Sequence, residues 1–243
     1  MDLLILASGK GVRMGDYTKN LPKCMINING KPTIKYMQKF INKFNNVLIV
    51  LGHQSKAIKD YFKNYNNIKF IYNKNFKITN MVESIFCANK FVKNDLVIVY
   101  SDIVFDPKIY DLLKTKNNIM PVNQSWKAIW KKRMNYKKIK KDAENIIIRG
   151  NKLVEIGEKI QHKLPEYQFM GIIKLLCNDY KSLCNFYKKK IKNKKIDLTN
   201  FINLSLKEKN LKVFCKKTKK FWFEIDTVQD LKALNKMLHK IKW

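Results

Sequence analysis

Apolar positions in the first half of the chain fall into short strand-like runs, at residues 2–7, 46–51, 68–72, 96–100 and 119–122. Runs of that length, apolar at most positions, predict strands buried in a parallel sheet. Between them the spacing becomes helical. Residues 32–44 begin at Pro32 and set Ile34, Met37, Phe40, Ile41 and Phe44 on one stripe; 55–63, 79–92 and 107–115 repeat the pattern. Strand and helix in alternation predict an α/β fold, a parallel sheet with helices on both faces. The second half changes character. Strands at 145–149 and 152–156 flank "RGN" as a hairpin, and a strand at 167–175 follows. Helices near 178–192 and 198–209, strands at 211–216 and 221–225, and a closing helix from Val228 complete the pattern. No linker, repeat or Pro/Ser-rich break separates the halves, so residues 1–243 read as a single domain.

Composition narrows the setting. A chain of 243 residues that is 46% hydrophobic can bury one sizeable core. No run approaches the roughly 18 apolar residues of a membrane span, and DLLILA is too short for a secretion signal, so no membrane insertion is expected. Cys24, Cys87, Cys177, Cys184 and Cys215 are odd in number and scattered, with no CxxC pair. Neither a disulfide framework nor a zinc site is indicated, and a reducing cytoplasm is the expected location. The net charge of +31 suggests nucleic acid at first sight, yet only Arg13, Arg133 and Arg149 among the 50 basic residues are arginines. Nucleic-acid surfaces recruit arginine for bidentate contacts, so the charge favours anionic ligands in general and no nucleic-acid partner is expected. Abundant Lys, Asn and Ile has the look of an AT-rich genome. The densest cluster, "FYKKKIKNKK" at 186–195, reads as a solvated helix end, with 188–195 the most mobile stretch. Monomer and homodimer both remain open.

The candidate chemistry starts where the first strand ends, in "LASGKGVRMGDYTKNLPK" at 6–23. In open parallel sheets, ligands sit beyond the carboxyl ends of the strands. Gly9 and Gly11 permit positive φ and close approach of backbone N–H groups to phosphate oxygens. Arg13 offers a planar fork and Lys23 a compact cation. The combination describes a polyphosphate site. It is not the Rossmann dinucleotide pattern, which needs glycine where Met14 stands, and no P-loop sequence occurs. As a bare pattern, a glycine-rich turn bearing solvated cations fits equally.

The full stretch is more specific. "LILASGKGVRMG…TKNLPK" resembles the signature L-A-A-G-x-G-x-R-M…T…P-K of nucleotidyltransferases with a Rossmann-like, GT-A-type fold, apart from Ser8 in place of the usual Ala or Gly. "NGKP", "TNMVESIFCA", "YSDIVFD", "SWKAIWKKR", "QFMGIIKL" and "WFEIDTVQDL" extend the resemblance over nearly the whole chain, toward the phosphocholine, phosphonate and phosphoglutamine cytidylyltransferase branch. The resemblance implies a mixed, mostly parallel central sheet, with 1–122 the nucleotide-binding half and 123–243 the acceptor-binding and closing half. It implies transfer of CMP from CTP to a small phosphate or phosphonate, in the service of surface polysaccharide or lipid decoration. Lys23 and Arg13 would be catalytic, and Leu6, Ala7, Ser8, Gly9, Lys10, Gly11, Arg13, Lys23, Asn80, Ser84 and Asp102 would bind nucleotide. A sugar-1-phosphate nucleotidyltransferase using UTP, dTTP or GTP shares the fold, as would an inactive basic binding module.

Two carboxylates complete the set. Asp102 ends the run "LVIVYSD" and Asp226 follows the strand in "EID", so both would emerge near Gly9. Paired carboxylates beside a triphosphate are the usual way to hold Mg²⁺, with Glu224 as a candidate third ligand. Simpler readings stand beside these. Asp102 could be a strand-end turn residue, and Asp226 could precede a helix capped by Thr227 and Asp230. Thr79 or Asn80 could cap a helix, and Glu83 could face solvent or the amine of a second substrate. His53, His162 and His239 are scattered and read as structural or solvated. Trp126, Trp130 and Trp222 read as core or pocket wall rather than an aromatic cage.

Overall fold

A computed structural model describes residues 1–160 and 163–238. In chain order the strands and helices open with β1 (Asp2–Ala7), the short hairpin β2 (Asn27–Ile28) and β3 (Lys31–Pro32), α1 (Gln38–Ile41), β4 (Val47–Leu51), α2 (Ser55–Tyr61) and β5 (Ile68–Tyr72). Next come α3 (Met81–Cys87), β6 (Leu96–Tyr100), β7 (Ile103–Phe105), β8 (Ile119–Asn123), α4 (Trp126–Trp130) and α5 (Tyr136–Asp142). The chain continues through β9 (Glu144–Arg149), β10 (Lys152–Lys159), β11 (Gln168–Phe169), β12 (Ile172–Leu175), α6 (Cys177–Lys190) and α7 (Leu198–Lys207). β13 (Phe214–Thr218), β14 (Trp222–Glu224) and α8 (Val228–Leu238) close it.

The central sheet runs β5-β4-β1-β6-β12-β8-β13-β10-β9, with β11 added beside β8. β5, β4, β1 and β6 are parallel throughout, the arrangement expected of the first half. β12 then enters antiparallel between β6 and β8 and makes the sheet mixed. The apolar runs are explained by cores on both faces. Along β1, Leu3, Ile5 and Ala7 face one apolar cluster while Leu4 faces the other. Because successive side chains alternate between faces, a strand covered on both sides is apolar along most of its length. The exception in β1, buried Asp2, accepts from the Lys93 and Asn94 N–H groups.

Several expected boundaries move. The stripe at 32–44 folds as a 3-10 turn over Thr33–Met37 followed by the single turn of α1, and 107–115 becomes a 3-10 turn over Pro107–Leu113. The strand expected at 167–175 is split. Gly171 takes φ +73°, and a Cβ there would come within 2.8 Å of the Tyr100 ring, so the chain bends between β11 and β12. The last expected strand leaves the main sheet, because β14 pairs with β7 alone. α4 and α5 have no counterpart among the expected elements. The hairpin around "RGN" folds as β9 and β10.

The lysine-rich stretch is anchored rather than loose. Lys188, Lys189 and Lys190 form the exposed last turn of α6. Beyond it, the Asn80 N–H donates to Lys194 O at 3.1 Å and Asn80 Nδ2 to Lys195 O at 3.1 Å.

Candidate nucleotide and acceptor site

The loop after β1 owes its shape to two glycines. Gly11 adopts φ +62° and Gly15 φ +56°, and Thr18 Oγ1 donates to both of their carbonyls, at 3.0 and 3.2 Å. Gly9 does not use the positive φ open to it; a Cβ there would meet nothing within 4 Å, and its missing side chain simply leaves space open. His53 has the structural use anticipated, a ring nitrogen 2.8 Å from Thr18 O that braces the loop. His162 and His239 lie outside the described residues.

Beyond the carboxyl end of β1 lies a cavity of about 310 Å³. Residues 6–9, Gly11, Arg13 and Lys23 form one side; Asn80, Ser84, Asp102 and Asp226 form the other. The expected set therefore converges, apart from Lys10, which is exposed and outside the wall. Lys23 sits at the centre. Its Nζ donates to Asp102 Oδ2 at 2.6 Å and to Asp226 Oδ1 at 2.8 Å, and Arg13 Nη2 reaches the same Asp226 oxygen at 2.8 Å. Burial would lower the Lys23 pKa, but the two carboxylates outweigh it and raise the value, fixing the ammonium as charged. Burial would raise Asp226, yet Lys23, Arg13 and Arg133 hold it below the ordinary value.

The helix-capping reading of Asp226 is replaced by a division of labour. Asp230 Oδ2 accepts from the N–H groups of Asp226 and Thr227, at 3.0 and 2.8 Å, while Thr227 Oγ1 accepts from the Asp230 N–H at 3.3 Å. The capping box is real, and it leaves the Asp226 side chain free for Lys23. Asp230, 2% exposed, also takes both Nε and Nη2 of Arg133, at 2.7 and 3.0 Å. This buried pair had no sequence signal.

At the inner end of the cavity, polar groups bond one another. Ser8 and Ser84 hydroxyls are 2.8 Å apart, and Asn73 Nδ2 donates to Ser84 Oγ at 2.9 Å and Thr79 Oγ1 at 3.1 Å. Sequence reasoning passed over Asn73, a single polar residue just past β5. Asn80 caps α3 through its side chain, at 2.8 Å from the Met81 N–H. Glu83 faces neither solvent alone nor an open site, since Tyr187 OH donates to it at 2.8 Å.

A second cavity of about 240 Å³ adjoins the first and shares Arg13, Met81, Tyr100 and Asp226 with it. Glu224 belongs to this second cavity. Burial, with Asp226 and Asp102 nearby, pushes its carboxyl up to about 8. Among the described residues no group of three or more His, Cys, Asp or Glu side chains is arranged to hold a metal ion. Of the expected set, Glu224 lines the second cavity, with Arg133 Nη1 3.9 Å from its carboxylate. Asp102 and Asp226 do fit a cation as a pair, each within 2.8 Å of the Lys23 nitrogen. Trp126 is core, and Trp130 and Trp222 are cavity wall, as expected.

A mixed sheet with a glycine-rich loop at its carboxyl edge, opening on paired carboxylates, defines a nucleotidyltransferase of the Rossmann-like GT-A type. The MobA-like NTP transferase domain family matches residues 3–120. CTP:phosphoglutamine cytidylyltransferase of Campylobacter jejuni is 30% identical over 96% of this chain and 98% of its own. The fold is shared with the inositol-1-phosphate CTP transferase from T. maritima (TM-score 0.78, 17% identity, 100% and 98% of the two chains). It is shared too with CTP:phosphocholine cytidylyltransferase from Streptococcus pneumoniae (TM-score 0.75, 20% identity, 98% of each chain). The chain belongs to the NTP transferase family, in its cytidylyltransferase-like branch, and is an enzyme of that class. Among the described residues no helix is long and apolar enough to cross a membrane.

Proposed function

We propose that this chain transfers CMP from CTP to a small phosphate or phosphonate that also carries nitrogen, of the phosphocholine, 2-aminoethylphosphonate or phosphoglutamine type. The product would be an activated head group suited to decorating surface polysaccharide or lipid. The observation that carries the reading is the position of Lys23 in the wall of the first cavity, charged and clasped by Asp102 and by Asp226, the carboxylate that lines both cavities. The likeness over the full length of the phosphoglutamine enzyme supports the choice of CTP and of a nitrogen-bearing acceptor.

The chemistry needs little more than positioning. A phosphate monoester has a second pKa of about 6, so its oxygen is largely anionic at neutral pH and attacks without a general base. That oxygen forms a bond to the α-phosphorus, the bond to the bridging oxygen breaks, and pyrophosphate leaves with the electron pair. Lys23 neutralises charge growing on the α-phosphoryl oxygens. Arg13 and the loop N–H groups from Gly9 to Gly11 hold the β- and γ-phosphates. Asp102 and Asp226 are the residues that would hold Mg²⁺, which when bound screens the repulsion between the two anionic reactants. The hydroxyl and amide groups of Ser8, Ser84, Asn73 and Thr79 stand where a pyrimidine could be read.

The test is pyrophosphate release from four NTPs against phosphocholine, 2-aminoethylphosphonate, phosphoglutamine and several sugar 1-phosphates. CTP should exceed UTP by at least about tenfold, or about 1.4 kcal/mol. Uracil presents a carbonyl where cytosine presents an amine, and an unpaired buried polar group costs about 1–3 kcal/mol. Faster turnover of glucose 1-phosphate with UTP than of every nitrogen-bearing acceptor with CTP would overturn the reading and leave the fold untouched.

A further inference from the structure

The second cavity has a chemical character of its own. Four buried side chains in its wall have a polar atom with no hydrogen-bond partner: Arg133 Nη1, which has only the Glu224 carboxylate 3.9 Å away, Gln168 Oε1, Trp130 Nε1 and Trp222 Nε1. Each of these residues is at most 5% exposed. A buried polar group left unpaired is costly, so a cluster of them around one cavity points to a ligand that pairs them.

Glu144 lies in the same wall, half-buried. It accepts one hydrogen bond, from Thr199 Oγ1 at 2.8 Å, and takes part in no ion pair among the described residues. Burial raises its pKa above the ordinary value. Its neighbour Asp197 is already engaged as the cap of α7, accepting from the Asn200 N–H at 2.8 Å. Glu144 therefore keeps lone pairs to spare for an N–H donor.

The aromatic surfaces are differently placed. A quaternary ammonium cannot donate a hydrogen bond and is held by open aromatic faces. Here the Arg133 guanidinium lies over Trp130, 5.1 Å from the ring centre. Tyr100 lies against Gly171, where an added Cβ would come within 2.8 Å of its ring, and is T-shaped to Phe169 with ring centres 5.9 Å apart. Two rings that would build a cage already have partners.

We propose that the second cavity selects acceptors whose nitrogen carries hydrogen, a primary ammonium or an amide, over quaternary ammonium, with Glu144 and Gln168 accepting those N–H bonds. Arg133 and the indole N–H groups then donate to an oxygen on the same acceptor. This inference rests on the cytidylyltransferase reading above and narrows its acceptor class.

The matched comparison is kcat/KM with CTP for phosphoethanolamine, 2-aminoethylphosphonate and phosphoglutamine against phosphocholine and the trimethylated phosphonate. The best N–H-bearing acceptor should exceed the best quaternary one by at least about tenfold. Glu144→Gln should raise KM for that acceptor by about tenfold or more, with kcat and the CTP dissociation constant nearly unchanged. A quaternary acceptor turned over as well as the others, or a Glu144→Gln enzyme with unaltered KM, overturns the inference while the cytidylyltransferase reading stands. No turnover of any of the five with CTP overturns both.

Discussion

Replacing Lys23 by methionine tests the centre of the site, because it keeps the stem and removes the charge. The side chain is 12% exposed and makes two short ion pairs, at 2.6 and 2.8 Å. Breaking a buried pair by removing one partner costs about 3–5 kcal/mol. Arg13 remains on Asp226 and Asp102 is 22% exposed, so the low end applies, about 3 kcal/mol. For a chain of this size that corresponds to about 6–12 °C in Tm. The sign with pH follows from the two partners. Lys23 is raised, so its contribution persists below its unfolded pKa and is lost only as pH rises through the still higher folded value. Asp226 is lowered, so its contribution is present above the ordinary value of 3.8 and fades as pH falls through the folded one. The Tm gap between wild type and Lys23→Met should therefore hold steady from neutral pH down to weak acid and close below about pH 4. Turnover should fall by roughly 10²–10³ in kcat, the scale for one preorganised contact to developing charge. Scanning calorimetry across pH, steady-state kinetics and titration calorimetry with CTP give the three readings. A variant that loses CTP affinity in full while keeping kcat would refute the assignment of Lys23 to the transition state.

Three further outcomes are expected. Asp102→Asn and Asp226→Asn should each remove most Mg²⁺-dependent turnover while circular dichroism stays native, and EDTA should act reversibly on the wild type; full activity of Asp226→Asn would leave that carboxylate a merely structural role. Glu224 titrates near 8 in the fold against an ordinary 4.5, so ionising it destabilises the folded state progressively across that interval; urea titrations should show Glu224→Gln losing less stability than wild type over the same range, and identical slopes would contradict the burial argument. Asp230→Ala removes the two-point partner of buried Arg133, leaving it Asp226 and Glu224 at 3.7 and 3.9 Å, and uncaps α8, which should cost about 3 kcal/mol by chemical denaturation; a loss below about 1 kcal/mol would show the pair to be dispensable.

What the sequence disclosed depended on how local each signal was. β1 and β6 fell on the expected residues because burial on both faces writes itself into nearly every position of a strand, and the half-exposed β5 did so through Ile68, Phe70, Ile71 and Tyr72. Lys23, Asp102 and Asp226 converged because each follows a recognisable strand or loop. The failures were of another kind. Nothing in "QFMGI" announces that Gly171 must bend away from Tyr100, since the constraint comes from a ring 71 positions earlier in the chain. Arg133 and Asp230 are 97 residues apart, and neither looks unusual alone. Strand alternation fixes the face of the Glu224 side chain but not the cavity it lines. Asn73 looked like a strand-end residue, and its role became visible only when Ser8 and Ser84 were brought beside it.

The bond between Lys23 and Asp226 spans 203 residues, and the second of them is held in place by Asp230 at the start of α8. Synthesis delivers the parallel strands, the glycine-rich loop and Lys23 long before it delivers Asp226. Until then Lys23 has only Asp102 for a partner, and the cavity lacks part of its wall. If Asp226 serves the reaction as proposed, an incomplete chain that lacks α8, however well its first half has folded, would turn over no nucleotide.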